Sequence, residues 1–263
     1  MKSTPFFLFL MIATIIFGMR YTQAEELVTF DGQIAKAKLP LDKQVAKKKY
    51  ETAIFGIGWF WTPDSEFGSI KGVLRVRVGY CGGKEEKPTY RTMKDHTEAV
   101  AIDYDPTVIQ YKDLLDRFWK SHSCDGPIYK TQYMNAIFYL DEKQKTAATS
   151  SLETTSATRN IPIKKITTKI IPARTFTYAE RYHQKYYVQR DAEVKEFLAA
   201  QFNTAKQLAD STVATRLNAY LSIGKEKNWK QFLKELPSYG LPEKLEAKLT
   251  KLAQEKLKAS PTK

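Results

Sequence analysis

Residues 55–61 read Phe55-Gly56-Ile57-Gly58-Trp59-Phe60-Trp61. Ala53, Ile54 and Phe55 before them form an apolar run of strand character, and Thr62-Pro63-Asp64 follows. Thr62 suits a helix N-cap, Pro63 the first helical position and Asp64 the positive end of the helix dipole. A strand that turns through glycines into a helix start is a place where a reactive side chain is presented. A thiolate there gains from the helix N-terminus and needs small neighbours for access. Gly56 and Gly58 supply the small neighbours. Trp59 supplies an indole with no usable nucleophile.

The texture on either side of this stretch is that of a folded domain. Residues 72–80, Gly72-Val73-Leu74-Arg75-Val76-Arg77-Val78-Gly79-Tyr80, alternate apolar and charged as a half-buried strand does, and end at Cys81-Gly82-Gly83. Ala99 to Tyr104 is a second strand, stopped by Asp105-Pro106. Leu114, Leu115, Phe118 and Trp119 give residues 111–121 helical spacing. Asn135 to Leu140 is a strand, Asp141-Glu142 opens a helix to about residue 157, and Lys165 to Ile171 is a strand ended by Pro172. Strands and helices in this mixture predict an α+β domain, with helices packed on a sheet.

Farther out, the termini differ from this centre. Lys2, an apolar run from Phe6 to Phe17 and then Thr22-Gln23-Ala24 read as a secretory signal peptide over residues 1–24. That run is short for a membrane span, and no later segment is apolar enough for one. Residues 25–48 are polar and lysine-rich, a lead-in arm. The domain is expected over residues 49–191. After it, residues 192–208 place Val194, Phe197, Leu198, Ala205 and Leu208 near one helical face. A short helix is expected after Thr212, and a last one carries Leu245, Leu249, Leu252 and Leu257. Residues 192–263 therefore read as a helical extension.

Composition narrows the function classes. Of the 263 residues, 43% are hydrophobic and 13% aromatic, enough for a packed core and against disorder of the whole chain. A net charge of +13 invites a nucleic-acid reading. The lysines are dispersed, however, and no zinc-finger or base-stacking motif accompanies them, so solvated basic faces are the better reading. His96, His122 and His183 stand apart without metal-ligand spacing, and no phosphate-cradling glycine loop appears. We expect no metal site and no nucleotide cofactor.

Several segments converge on one family. The 55–61 stretch resembles the FGxGCFW signature of the A-type peptide methionine-(S)-sulfoxide reductases. Gly72-Val73 and Val78-Gly79-Tyr80-Cys81-Gly82-Gly83 resemble that family's GV…VGYxGG, and Pro88-Thr89-Tyr90, His96-Thr97-Glu98 and Tyr104-Asp105-Pro106 its PTY…GHxE…YDP. Gln132-Tyr133 and Ala179-Glu180-Arg181-Tyr182-His183-Gln184 continue the series to about residue 190. Residues 210–221 resemble the tail of a subgroup without a C-terminal resolving cysteine.

The resemblance implies a two-layer α+β sandwich and a reaction in which a thiolate attacks a sulfoxide sulfur while an acid protonates the departing oxygen. It places the acid at Glu98, the oxygen-binding hydroxyls at Tyr90 and Tyr133, and a methionine-methyl pocket at Phe60 and Trp61, where sulfur–aromatic contacts favour the thioether. His183 and Tyr182 close the pocket wall, and His96 orients the turn before Glu98. The implied substrate is methionine sulfoxide, free or in proteins. The implied reductant is an external thiol such as thioredoxin rather than a bound cofactor.

The same resemblance answers for Trp59, which occupies the position of the family's nucleophilic cysteine. An indole is a hydrogen-bond donor only and cannot become a sulfenic acid. Its bulk suits it to fill the space of the substrate sulfur. Asp95 and Ile128 also depart from the family pattern, standing where it has a glycine and an acidic residue. Two cysteines are present, Cys81 and Cys124. An even count in an oxidising compartment permits a Cys81–Cys124 disulfide; two unpaired thiols or a relocated redox centre are the alternatives.

Overall fold

A computed structural model describes residues 38–222 and 228–259. The signal-peptide reading of residues 1–24 and most of the lead-in arm lie outside the described residues. Among the described residues no helix is long and apolar enough to cross a membrane.

The segments read as strands form strands, with two differences: the one read from Lys165 to Ile171 begins only at Lys169 and runs through Pro172, after a 3-10 turn at Ile163–Lys165, and Phe176–Tyr178 adds a strand that the sequence did not suggest. β1 (Glu51–Gly56), β2 (Val73–Cys81), β3 (Thr97–Tyr104), β4 (Ala136–Tyr139), β5 (Lys169–Pro172) and β6 (Phe176–Tyr178) make one sheet in the order β5-β4-β1-β3-β2-β6. β4 and β5 pair parallel and the other neighbours antiparallel, so the sheet is mixed. Helices α2 (Trp61–Gly68), α3 (Tyr111–Lys120) and α4 (Glu142–Arg159) join these strands in an α+β fold.

Strand alternation sorts side chains onto two faces. Phe55, Val76, Val78, Tyr80, Val100 and Ile102 join Phe67 of α2 and Leu114, Leu115 and Phe118 of α3 in the main core. Ile54, Cys81, Ala99, Ala101 and Phe138 form a separate cluster on the other face. That face also carries a wholly buried ionic group. Asp103 accepts from Thr52 Oγ1 at 2.7 Å, from Arg77 Nη1 at 2.9 Å and from Arg75 Nε. Arg77 Nε reaches Asp210 at 2.5 Å.

Three local expectations are corrected. Thr62 is not the N-cap of α2: the helix begins at Trp61, and Phe60, at the cap position, already has helical angles (φ −66°, ψ −9°) with no side-chain cap. Pro63 is then the third residue of the helix, not the first, while Asp64 keeps its expected place in the first turn and pairs there with buried Lys185. Residues 192–208 form two helices, α5 (Ala192–Gln201) and α6 (Ala205–Ala209), because Thr204 opens a fresh helix with a reciprocal cap to Gln207. Residues 40–45 of the expected arm form α1 (Pro40–Val45), whose Asp42 is buried.

The helical extension packs intimately on the domain. α7 (Thr212–Leu221) is buried along nine of its ten residues, from Thr212 to Tyr220. Its Arg216 donates to the carbonyls of Gly68 and Val73 at 2.6 Å each, and Thr215 Oγ1 accepts from Val76 N at 3.3 Å. α8 (Trp229–Glu235) and α9 (Glu243–Ala259) complete a second core with Val194, Leu198, Leu217 and Leu39.

Candidate active site

The glycines ahead of Trp59 do distinct work. A Cβ at Gly56 would sit 2.8 Å from the Met134 carbonyl and 2.9 Å from Thr97 Cγ2, so only glycine lets β1 end this close to its neighbours. Gly58 has φ 59°, the left-handed turn that aims the chain into α2. The turn delivers Phe60 and Trp61 to the end of the sheet where Glu98 stands.

Glu98 lies directly opposite Tyr80 in the β2–β3 register, on the main-core face. It is 2% exposed. Its Oε2 accepts from the Phe60 backbone N–H at 3.3 Å and its Oε1 from Gln132 Nε2 at 2.9 Å. Burial pushes its pKa up; the bonds from Gln132 and Phe60 oppose but do not cancel that rise. A carboxyl that holds its proton toward neutrality is suited to be an acid.

Aromatic rings line the space beside it. Phe60 is buried, 5.1 Å from the His183 ring and 6.1 Å from that of Tyr80. Trp61 stacks on Tyr186 with ring centroids 4.0 Å apart and 7° between planes, and its indole N–H donates to His183 Nδ1 at 3.3 Å. His183 is buried, and burial lowers its pKa against the pull of Glu180. With Nδ1 accepting, the proton of the neutral ring sits on Nε2, which has no hydrogen-bond partner. Tyr90 packs 4.9 Å from this ring and Tyr182 4.2 Å from it. Tyr133 is half-buried, with its pKa pushed up to about 12 by burial, its bond to Tyr90 and the charge of Glu98. The structure therefore brings Glu98, Tyr90, Tyr133, Phe60, Trp61 and His183 together at one end of the sheet.

Trp59 does not enter the pocket. It is 64% exposed and meets the Tyr133 ring edge-on at 6.3 Å. Bulk at this position is accommodated by turning outward, which corrects the expectation that the indole fills the sulfur space.

The two cysteines, Cys81 and Cys124, lie inside the fold. Both are buried and unpaired, so the disulfide expectation is corrected as well. Cys81 belongs to the cluster on the face away from Glu98, whereas Cys124 belongs to the main core. The sheet separates them. Burial raises the Cys81 thiol far above its usual range, which disfavours the thiolate.

His96 also has a different task from the one expected. Its Nδ1 accepts from Gly83 N at 3.2 Å and its Nε2 donates to the Glu85 carbonyl at 2.9 Å, so it holds the loop after β2. Among the described residues no three metal-binding side chains gather.

Sequence reasoning gave no role to Gln132, Tyr80 or Glu180, although all three lie inside the quoted motifs. Gln132 holds Glu98. Tyr80 donates its hydroxyl to Glu180 Oε2 at 2.7 Å, and Glu180 Oε1 accepts from Tyr90 N at 3.0 Å, which fixes the Tyr90 loop against the pocket. Burial tends to raise the Glu180 pKa, but these two bonds bring it below its ordinary value.

A buried carboxyl with a raised pKa, set among aromatic rings and tyrosine hydroxyls, makes a site suited to a small group with an apolar end and a hydrogen-bonding oxygen. Residues 51–215 match the family described as peptide methionine sulfoxide reductase, and the chain belongs to that family. It is 46% identical over 194 residues to a peptide methionine sulfoxide reductase of Drosophila melanogaster, covering 72% of this chain and 75% of the relative. It is 40% identical over 177 residues to the peptide methionine sulfoxide reductase A5 of Oryza sativa, covering 65% and 67%. Among solved structures, methionine sulfoxide reductase A of Corynebacterium diphtheriae aligns with TM-score 0.48 and 29% identity over 54% of this chain and 75% of that one.

Proposed function

We propose that this chain keeps the family's substrate, methionine-(S)-sulfoxide in free or protein form, as a ligand of the Glu98 pocket, and that Trp59 makes it a reductase-like protein without turnover. In the family reaction a thiolate forms a bond to the sulfoxide sulfur while the S–O bond breaks. Glu98 gives its proton to the departing oxygen, which leaves as hydroxide from a sulfonium bonded to the thiol-derived sulfur. Hydroxide then bonds to that sulfur as the S–S bond breaks, its electron pair going to methionine, which leaves. The resulting sulfenic acid is reduced by an external dithiol such as thioredoxin, which ends as a disulfide.

Every group of that scheme except the first has a counterpart here. Glu98 supplies the proton. The hydroxyls of Tyr90 and Tyr133 and the Nε2–H of His183 are donors for the oxygen as charge gathers on it. Phe60 and Trp61 offer an apolar wall to the methyl group. The observation that carries the reading is the Phe60 N–H···Glu98 bond, which ties the acid to the residue next to the nucleophile position. With the leader read over residues 1–24, we place this binding role in the secretory lumen or outside the cell.

Titration with N-acetyl-methionine-S-sulfoxide amide, the R epimer and the parent thioether tests the ligand. Turnover with dithiothreitol, beside Trp59→Cys, tests the chemistry. The unaltered protein is expected to bind the S epimer best and not to consume it. Trp59→Cys is expected to gain reduction of at least about a hundredfold, the scale that a positioned acid supplies. Consumption of sulfoxide by the unaltered protein, abolished by Cys81→Ser or Cys124→Ser, would show that a thiol has moved.

A further inference from the structure

Beside the Glu98 pocket lies a second cavity of about 320 Å3, enclosed by the 181–189 segment, α5 and α6. Its floor is apolar, formed by Val188, Leu198 and Leu208, all buried. Arg181 and Lys195 also line it, and no acidic side chain does. Arg181 spends one N–H on the Thr204 carbonyl at 3.1 Å, and its guanidinium has further donors to offer. The third cation of the lining, Lys185, is engaged by Asp64. The acids at the start of α5, Asp191 and Glu193, are engaged by Lys248 at 2.9 Å and 2.7 Å.

Tyr182 joins the two spaces. It lines this cavity and at the same time packs 4.2 Å from the His183 ring of the pocket wall, while remaining 55% exposed. A chain that places a side chain against Phe60 and Trp61 therefore passes Tyr182 to reach the cavity. The volume lies in the range of small-ligand sites and accommodates one aliphatic side chain with room to spare.

We propose that this cavity is a recognition subsite for polypeptide substrates: it takes an aliphatic residue flanking the methionine, with an adjacent acidic side chain held at the rim by Arg181 and Lys195. The proposal rests on the reading of the Glu98 pocket as a methionine sulfoxide site. It narrows the ligand from any methionine sulfoxide to one in an unfolded or exposed segment with an apolar–acidic pair nearby. The subsite depends on α5 and α6, so the C-terminal helices contribute directly to ligand choice.

The test compares three ligands by calorimetry: N-acetyl-methionine-S-sulfoxide amide, and peptides with either Leu-Glu or Ser-Ser pairs on each side of the sulfoxide. Leu-Glu is expected to bind about tenfold tighter than Ser-Ser, the effect of burying one aliphatic side chain. Ala199→Trp, which fills the cavity from an exposed position of α5, should erase that preference, and Lys195→Glu, which repels the acidic residue at the rim, should reduce it, neither altering affinity for the amide. Equal affinity for the two peptides, or a preference that survives Ala199→Trp, would overturn the proposal. Failure of the amide to bind, with the Leu-Glu preference intact and lost in Ala199→Trp, would instead sink the Glu98 reading and leave the cavity as a polypeptide site. Binding of none of the three would reject both.

Discussion

Lys185 Nζ lies 2.8 Å from Asp64 Oδ1, and both side chains are wholly buried. Asn218 Nδ2 reaches the other oxygen of Asp64 at 3.0 Å, and the Lys185 ammonium also donates to the Val76 carbonyl. This one pair links the helix after Trp59, the segment that carries His183, strand β2 and α7. The pocket wall is held in place by charges that never meet solvent.

Removing one partner leaves the other charged and unsatisfied. Asp64→Ala is expected to destabilise by about 3–5 kcal/mol, and Asp64→Leu with Lys185→Met by clearly less than either single change. Urea unfolding of the three variants measures this. A double variant worse than both singles would contradict it.

The pH profile of Trp59→Cys should expose Glu98. The acid must carry its proton to protonate the oxygen, so turnover falls as pH rises through the elevated Glu98 pKa. Deprotonation of the new thiol raises the rate from the acid side, giving a bell. Glu98→Gln in the same background should lower the rate by about a hundredfold and remove the descending limb attributable to Glu98.

Stability in acid is expected to depend on Asp103 and Asp210. Burial would raise both, but Arg77 beside them outweighs it, with Arg75 helping at Asp103 and Lys206 at Asp210, so both lie below the ordinary value. Unfolded carboxyls bind protons from about pH 4 downward, whereas these folded ones resist. Their contribution is thus complete above about pH 4 and is lost as pH falls through the folded values. Asp210→Asn should lower stability at pH 7 and reduce its further loss toward pH 2, read as urea midpoints across that range. Asp64, raised by burial, acts in the opposite sense and is unchanged by this substitution.

Cys81 and Cys124 should behave as free thiols shielded by the fold. Iodoacetamide is expected to add nothing to the native protein and two groups after denaturation without reductant. A linked peptide pair in the unreduced digest would contradict their placement on opposite sides of the sheet.

Asp42 should matter more than an arm residue would. It accepts from Ser211 Oγ at 2.9 Å, Thr212 N at 2.7 Å and Val213 N at 3.1 Å, closing the positive end of α7 from a distance of 170 residues in sequence at Thr212. Asp42→Ala leaves those donors buried and should cost about 2–3 kcal/mol by thermal or urea unfolding, with Asp42→Asn recovering part of it.

The alternation of residues 72–80, the apolar run 99–104 and the spacing of Leu114, Leu115 and Phe118 were enough to locate β2, β3 and α3, but the half-buried reading of β2 is corrected: all nine of its residues are buried, because Arg75 and Arg77 find Asp103 and Asp210 on the face where solvent was expected. The motifs around Tyr90, Glu98 and Tyr133 picked out side chains that the fold gathers at one end of the sheet, and the resemblance they carry set Trp59 at the family's cysteine position. The tertiary structure decided what local pattern cannot carry: that Trp59 faces solvent, that both thiols are isolated, and that Asp42, Asp64 and Asp210 find partners far along the chain. A buried charge has no local signature. Its partner is whichever group the packed fold brings within bonding distance, since desolvation leaves an unpaired ion no favourable place inside.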